Sequence, residues 1–268
     1  MPELPEVETA RRTLEPLLIG RRIAHVDVRR PEALRSHTPA EASRILVGQT
    51  FTDVTRRGKA LFFALDGGWT LMFHFSLWGV VLVKTLPLSA DAHTAVTIGL
   101  HDGSGLEFRE FQLSNLNLYR RADLSNVAYL ASLGPDPLDA SVRLRQFREH
   151  LTGRGALRNL LTDQERLSGI GNLWALEILF AARMRPTRTA QDLTTKQWQT
   201  LFRAMRGILH RGIRAGGEPE FLDATGRAGR FRLAVYGRAG QPCRVCGTPI
   251  RSGKVGGRPT FFCPRCQK

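Results

Sequence analysis

From about Arg22 to residue 120 the chain alternates short apolar, β-rich runs with turn signals. The runs fall at Ile23–Val28, Phe51–Thr55, Leu61–Leu65, Thr70–Phe73, Val80–Val83, Ala95–Leu100 and Leu106–Phe111. Stretches such as Asp66-Gly67-Gly68 and Asp102-Gly103-Ser104-Gly105 separate them. This spacing predicts an all-β sandwich or barrel. Ahead of it, Val7, Ala10, Leu14, Leu17 and Leu18 recur at three- and four-residue steps. Residues 2–19 therefore read as a helix with one apolar face, with Pro2 and Pro5 in its first turn and Gly20 closing it. Gly134-Pro135-Asp136-Pro137 reads as a linker. Beyond it, from Val142 to about Ala215, the period changes to that of helices. One is supported by Leu173, Leu176, Ile178, Leu179 and Phe180, and a longer one by Trp198, Leu201, Phe202, Met205, Ile208 and Leu209. Ser168-Gly-Ile-Gly171 is a tight turn opening the first of these. Residues 216–240, rich in Gly and Arg, read as loop. The pattern divides the chain into residues 1–133, 134–220 and 221–268.

Charge sharpens this division. The net charge is +15, but residues 1–150 contribute +1 and residues 151–268 contribute +14, counted on the same sequence. Genome bias explains Arg in place of Lys; it does not explain missing acids. So large a one-sided charge is the footprint of a polyanionic partner, nucleic acid above all. The apolar runs are too short to span a bilayer, and the N-terminus does not have the form of a signal peptide. The expected location is the cytoplasm, in association with the nucleoid.

All four cysteines lie in the last 26 residues, as Cys243-x2-Cys246 and Cys263-x2-Cys266 separated by sixteen residues. Two CxxC pairs at this separation form a tetrahedral four-thiolate zinc site. Gly253 and Gly256-Gly257 are placed to turn a β-hairpin between the pairs. Two disulfides are the competing reading, disfavoured in a cytoplasmic chain, and nothing resembles a thioredoxin unit. Four protein ligands leave no open position on the metal, so one structural zinc is expected and catalysis must come from elsewhere.

The opening Met-Pro-Glu-Leu-Pro-Glu-Val-Glu-Thr resembles the start of bacterial formamidopyrimidine-DNA glycosylases, the family that also contains endonuclease VIII. The resemblance continues in order along the chain, at His74 to Gly79, at Gly169-Ile-Gly-Asn172, and from Tyr236-Gly-Arg-Ala-Gly-Gln-Pro-Cys243 through Cys266. It implies an α+β fold: an N-terminal helix and β-sandwich, then a helix–two-turns–helix domain ending in a zinc-finger β-hairpin. It also implies a monomer that holds damaged DNA, duplex or single-stranded, in a cleft between the halves.

The implied chemistry starts at Pro2, whose small size lets Met1 be removed. The exposed secondary amine titrates near pH 8, well below a lysine, so part of it is nucleophilic at neutral pH. It attacks C1′ of a damaged nucleotide, and the resulting iminium promotes strand cleavage by elimination. By resemblance Glu3 is the general acid/base and Glu6, three residues on, supports the site; both also complement a helix N-terminus. Lys59, in Arg56-Arg-Gly-Lys59, corresponds to a family lysine that meets the lesion or its phosphate. Asn172 at a helix start and Arg258 in the zinc hairpin correspond to a phosphate clamp.

The chain departs from the family where the gap left by an extruded nucleotide is filled. In His74-Phe-Ser-Leu-Trp-Gly79, Leu77 stands at the family's Met. The family's Pro-Arg-Arg-Phe-Gly loop falls near Phe111-Gln-Leu-Ser-Asn115, with neither Arg nor Phe where expected. Trp78 is a substitute wedge or a core residue. The loop from Gly217 to Tyr236, which in the family caps the extruded base, is a few residues shorter. A substrate other than plain 8-oxoguanine opposite cytosine is therefore expected. Two alternatives remain: a non-catalytic damaged-DNA-binding protein derived from the family, and an RNA- or ribosome-associated zinc ribbon, which leaves the N-terminal constellation unexplained.

Overall fold

A computed structural model describes residues 2–77, 79–85, 92–109 and 115–268. The chain forms two compact units. The first runs to Ala131 and takes back Pro219–Arg230; the second comprises Ser132–Glu218 and Phe231–Lys268.

In the first unit, helix α1 (Leu4–Leu18) buries the predicted face, with Val7, Ala10, Leu14 and Leu18 all essentially inaccessible. Two four-stranded antiparallel sheets follow. One has the order β1 (Ile23–Val28), β6 (Thr94–Leu100), β7 (Ser104–Arg109), β5 (Val80–Thr85). The other has the order β2 (Phe51–Arg57), β3 (Ala60–Leu65), β4 (Trp69–His74), β8 (Asn115–Arg120). Their inner faces share one core, in which Phe108 of the first sheet meets Phe63 and Phe73 of the second at ring distances of 6.0 and 5.2 Å. The β-sandwich predicted from the spacing is observed, within the α+β fold that the resemblance implies.

Helix α2 (Pro39–Leu46) and strand β8 are among the elements that the pattern did not foresee. Helix α2 interrupts the strands; Thr38 and Glu41 form a capping box, with Glu41 accepting from the Thr38 amide at 2.9 Å. Thr-Pro-Ala-Glu is a sequence signature of that box, so the helix was legible. Strand β8 follows the stretch read as a family loop; it pairs with β4 from Trp69↔Arg120 to His74↔Asn115. The preceding residues 110–114, and Trp78, lie outside the described residues.

Strand β3 is buried on both sides. Leu61, Phe63 and Leu65 face the sandwich, while Ala60 and Phe62 join Met72 in a smaller cluster covered by Tyr119, Leu124, Tyr129 and Leu130. Tyr129 and Leu130 belong to a single helical turn, α3 (Ala128–Ala131). The segment Pro219–Arg230 packs Phe221 and Ala224 into the main core, and Ala224 accepts from the Val83 amide at 2.8 Å.

The second unit holds α4 (Leu144–His150), α5 (Leu157–Thr162), α6 (Asn172–Ala181), α7 (Thr195–Arg214) and a hairpin of β9 (Arg251–Val255) with β10 (Arg258–Phe262). Helix α6 is buried from Leu173 to Leu179. Its Glu177 carboxylate accepts from the amides of Ala234, Val235 and Tyr236 at 2.9, 2.9 and 3.0 Å, and burial pushes its pKa up. This ties the approach to the cysteine module to the helix. The hairpin turns at Gly256-Gly257, both with left-handed φ of +55° and +75°. Two such residues in succession are what a two-residue hairpin loop demands. Gly253, in contrast, lies inside β9 opposite Thr260 rather than in the turn.

Candidate active site and metal centre

Pro2 and Glu3 lead into α1 and both are buried, as is Glu6. Pro5 opens the helix, where a missing amide costs nothing. The Glu6 carboxylate turns back to accept from the Glu3 amide at 3.0 Å. Glu3 and Glu6 are thus brought together beside Pro2, with Glu6 fixed by a backbone bond. One turn later Glu8 receives Arg11, Arg12 and, from β2, Arg56 at 3.2 Å. Burial opposes its charge, but hydrogen bonds from Arg11 and Arg12 and the charge of Arg56 outweigh it, holding the carboxyl below its usual range. The sequence reading passed over Glu8 and Arg56, whose pairing spans 48 positions.

Lys59 occupies the two-residue turn between β2 and β3, which pair up to Arg57↔Ala60. Gly58 takes the first turn position with φ +56°. Beside this turn, His74 ends β4. Its Nδ1 accepts from the Ser76 amide at 3.1 Å, and its ring stands edge-on to Tyr129 at 5.2 Å. Burial, together with the charge of Lys59, lowers its pKa from 6.5 to about 4. A histidine unfolded near pH 6.5 but at about 4 when folded holds a proton first in the unfolded chain. Stability gained above pH 6.5 is therefore lost as pH falls toward 4. Wild type should lose about 2 kcal/mol of unfolding free energy over that window relative to His74→Asn, after allowance for partial exposure. Urea titrations at stepped pH check this; parallel curves would refute a neutral His74. Ser76 carries φ +47°, unusual for a residue with a side chain, and sets Leu77 outward at 38 % exposure.

In the second unit, Gln164 staples the glycine turn, accepting from the Gly169 amide at 2.8 Å and donating to the Ile170 carbonyl at 2.7 Å. Asn172 then starts α6. Buried Arg158 donates through Nε and Nη2 to Asn172 Oδ1 at 2.9 and 2.7 Å, and through Nη1 to Asn159 Oδ1 at 2.9 Å. Asn172 Nδ2 donates to the Pro259 carbonyl at 2.9 Å. Pro259 follows Arg258, which is exposed beside the hairpin turn. Asn172 and the Arg258 strand, 86 positions apart in number, are therefore joined directly. Arg158 is a further residue the sequence reading missed; nothing in its local pattern marks it.

The four cysteine sulfurs all lie within 4.8 Å of one another. Cys243 and Cys266 are 3.9 Å apart and Cys246 and Cys263 3.5 Å apart, too far for disulfides. A tetrahedral zinc with Zn–S bonds of about 2.3 Å spaces its sulfurs by roughly 3.8 Å, so the arrangement fits. Desolvation and the neighbouring sulfurs push the Cys266 thiol up to about 12; a dication is what lets four thiolates coexist. Amides of Val245 and Cys266 approach Cys243 and Cys263 Sγ at 3.5 and 3.4 Å. Gln267, fully buried, accepts from the Cys263 amide and donates to the Met184 carbonyl at 2.9 and 2.8 Å, anchoring the module to the helices. Among the described residues no helix is long and apolar enough to cross a membrane.

Three family profiles match in order: the formamidopyrimidine-DNA glycosylase N-terminal domain over residues 1–113, its H2TH domain over 133–220, and the zinc finger found in FPG and IleRS over 240–268. The four-cysteine centre is thus a zinc-finger site for one ion. The formamidopyrimidine-DNA glycosylase of Thermus thermophilus is 39% identical over 275 residues, covering 100% of this chain and 98% of that protein. Two solved structures of the Lactococcus lactis Fpg, each 28% identical, superpose closely. One, in complex with DNA containing an abasic site, has a TM-score of 0.91 and 99% coverage of both chains. The other, in complex with DNA containing N7-benzyl-Fapy-dG, has a TM-score of 0.92 and 100% coverage of both. With its profiles in order and its relatives matched end to end, the chain belongs to the formamidopyrimidine-DNA glycosylase family.

Proposed function

We propose that this chain excises a damaged base from DNA and then cleaves the strand as an abasic-site lyase, with the Pro2 nitrogen as nucleophile once Met1 is removed. The observation that supports this most is the grouping of Pro2, Glu3 and Glu6 at the buried start of α1. The Pro2 nitrogen bonds to C1′ and loses its proton. The glycosidic bond breaks, and its electron pair leaves with the base, which takes up a proton. Expulsion of O4′, protonated by Glu3, leaves a cationic iminium. Loss of the C2′ proton then supplies the electron pair that ejects the 3′-phosphate. Glu6 holds the turn that carries Glu3. Lys59 meets the lesion or its phosphate, His74 and Leu77 line the DNA side of the first unit, and Asn172 and Arg258 bind phosphate in the second. Trp78 is proposed as a DNA contact on its sequence position alone.

The substrate is proposed to differ from 8-oxoguanine opposite cytosine, because Leu77 replaces the family's Met and the stretch Phe111–Asn115 carries neither Arg nor Phe at the positions where the family has them. Ring-opened purines, oxidised pyrimidines, alkylated bases and abasic sites are the candidates. Borohydride trapping on abasic-site duplex, with Pro2→Gly and a chain retaining Met1 as controls, tests the chemistry. Wild type is expected to form the covalent adduct and the Met1-retaining chain none; no wild-type adduct would leave a DNA-binding protein without turnover. A panel of lesion duplexes and single strands tests the substrate, and 8-oxoguanine release at an ordinary member's rate would sink that part.

A further inference from the structure

We propose that Tyr129 is a positioning residue for Lys59, clasping the lysine turn from the last helical turn of the first unit's long segment; this rests on Lys59 meeting the lesion. In a two-residue hairpin turn the ladder ends at the flanking pair, here Arg57↔Ala60. The Lys59 amide therefore needs an acceptor elsewhere. It finds Tyr129 Oη at 3.0 Å, 70 positions away. The phenol in turn lies 3.5 Å from the Arg57 carbonyl, so one oxygen spans both sides of the turn. Burial raises the Tyr129 pKa, so the group stays a neutral phenol able to accept and donate.

The tyrosine is itself fixed. Its ring packs on the Ala60, Phe62 and Met72 cluster, and His74 meets it edge-on with an interplanar angle of 83°. His74 is held by the Ser76 amide. The direction of the Lys59 side chain follows from its backbone, and that backbone is set by a residue two positions before the first unit's long segment ends at Ala131. A shift of α3 would be delivered to the Lys59 turn through the Tyr129 hydroxyl.

The test is a double-mutant cycle with Tyr129→Phe, Lys59→Ala and the pair. It reads trapping rate at saturating enzyme on a duplex carrying one abasic site, duplex affinity, melting temperature and exchange of the Lys59 amide. Tyr129→Phe keeps the ring contacts and removes only the hydroxyl. It should lower the rate about fivefold, what one ordinary hydrogen bond sustains, speed Lys59 amide exchange, and leave affinity and melting nearly unchanged. In the Lys59→Ala background it should change nothing. A full rate in Tyr129→Phe alongside a slow Lys59→Ala overturns the role of Tyr129 alone. Additive losses would place Tyr129 in another role and overturn it too. A wild-type rate in Lys59→Ala removes the reading of Lys59, and this proposal with it.

Discussion

Glu3→Gln should slow base release by 10²- to 10⁴-fold, roughly the range lost when a positioned proton donor is removed, while duplex affinity and fold persist. Glu3 is 3% exposed and sits next to Pro2, ahead of α1. Glutamine keeps the shape and an accepting oxygen at the helix start, so capping survives and proton delivery does not. Single-turnover release on a lesion duplex, run beside anisotropy titrations, separates the two. An unchanged rate would take Glu3 out of the chemistry. A rate and an affinity that fell together would make it a structural cap.

Chelating the metal, or replacing the inaccessible Cys263 by serine, should unfold the cysteine module and reduce duplex affinity on the order of 10²-fold at physiological salt. In the folded module, Asn172 donates to the Pro259 carbonyl and Gln267 to the Met184 carbonyl. Once the strands come apart, Asn172 loses a partner and Arg258 its place. The slope of affinity against salt should flatten, as fewer phosphates are met. Metal released per chain, salt-series titrations and near-ultraviolet dichroism read this together. Retained affinity after complete metal loss would show that the hairpin contributes nothing to DNA binding.

Much of the fold could be read in advance because period and burial agree. The α1 stripe, seven strand runs, the α6 and α7 patterns and the cysteine pairs each obey one geometric rule. α2 was missed because β-rich neighbours outweighed a capping box that was present in plain sight. β8 was missed although Leu116 and Leu118 alternate with Asn115 and Asn117, because those asparagines weaken the local strand signal and pairing with β4 completes it. In the candidate site, the closeness of Pro2, Glu3 and Glu6 was legible from their spacing within one helical turn, while the roles proposed for them came from the resemblance alone. Arg158, Tyr129 and the Glu8–Arg56 pair were not legible. Arg158 meets Asn172 14 positions away, Glu8 meets Arg56 48 away and Tyr129 meets Lys59 70 away, and only the folded chain brings them together.

The first unit is discontinuous, and that has a consequence for its synthesis. Phe221 and Ala224 complete a core whose other members are all made before residue 132. As the chain leaves the ribosome, the unit bearing Pro2 waits for the whole of residues 132–218 to be made before its core can close. Domains ordinarily fold in the order they are made; here the amino-terminal unit cannot finish first. Pro2 reaches a completed setting only when the helices between Ser132 and Glu218 have already been translated.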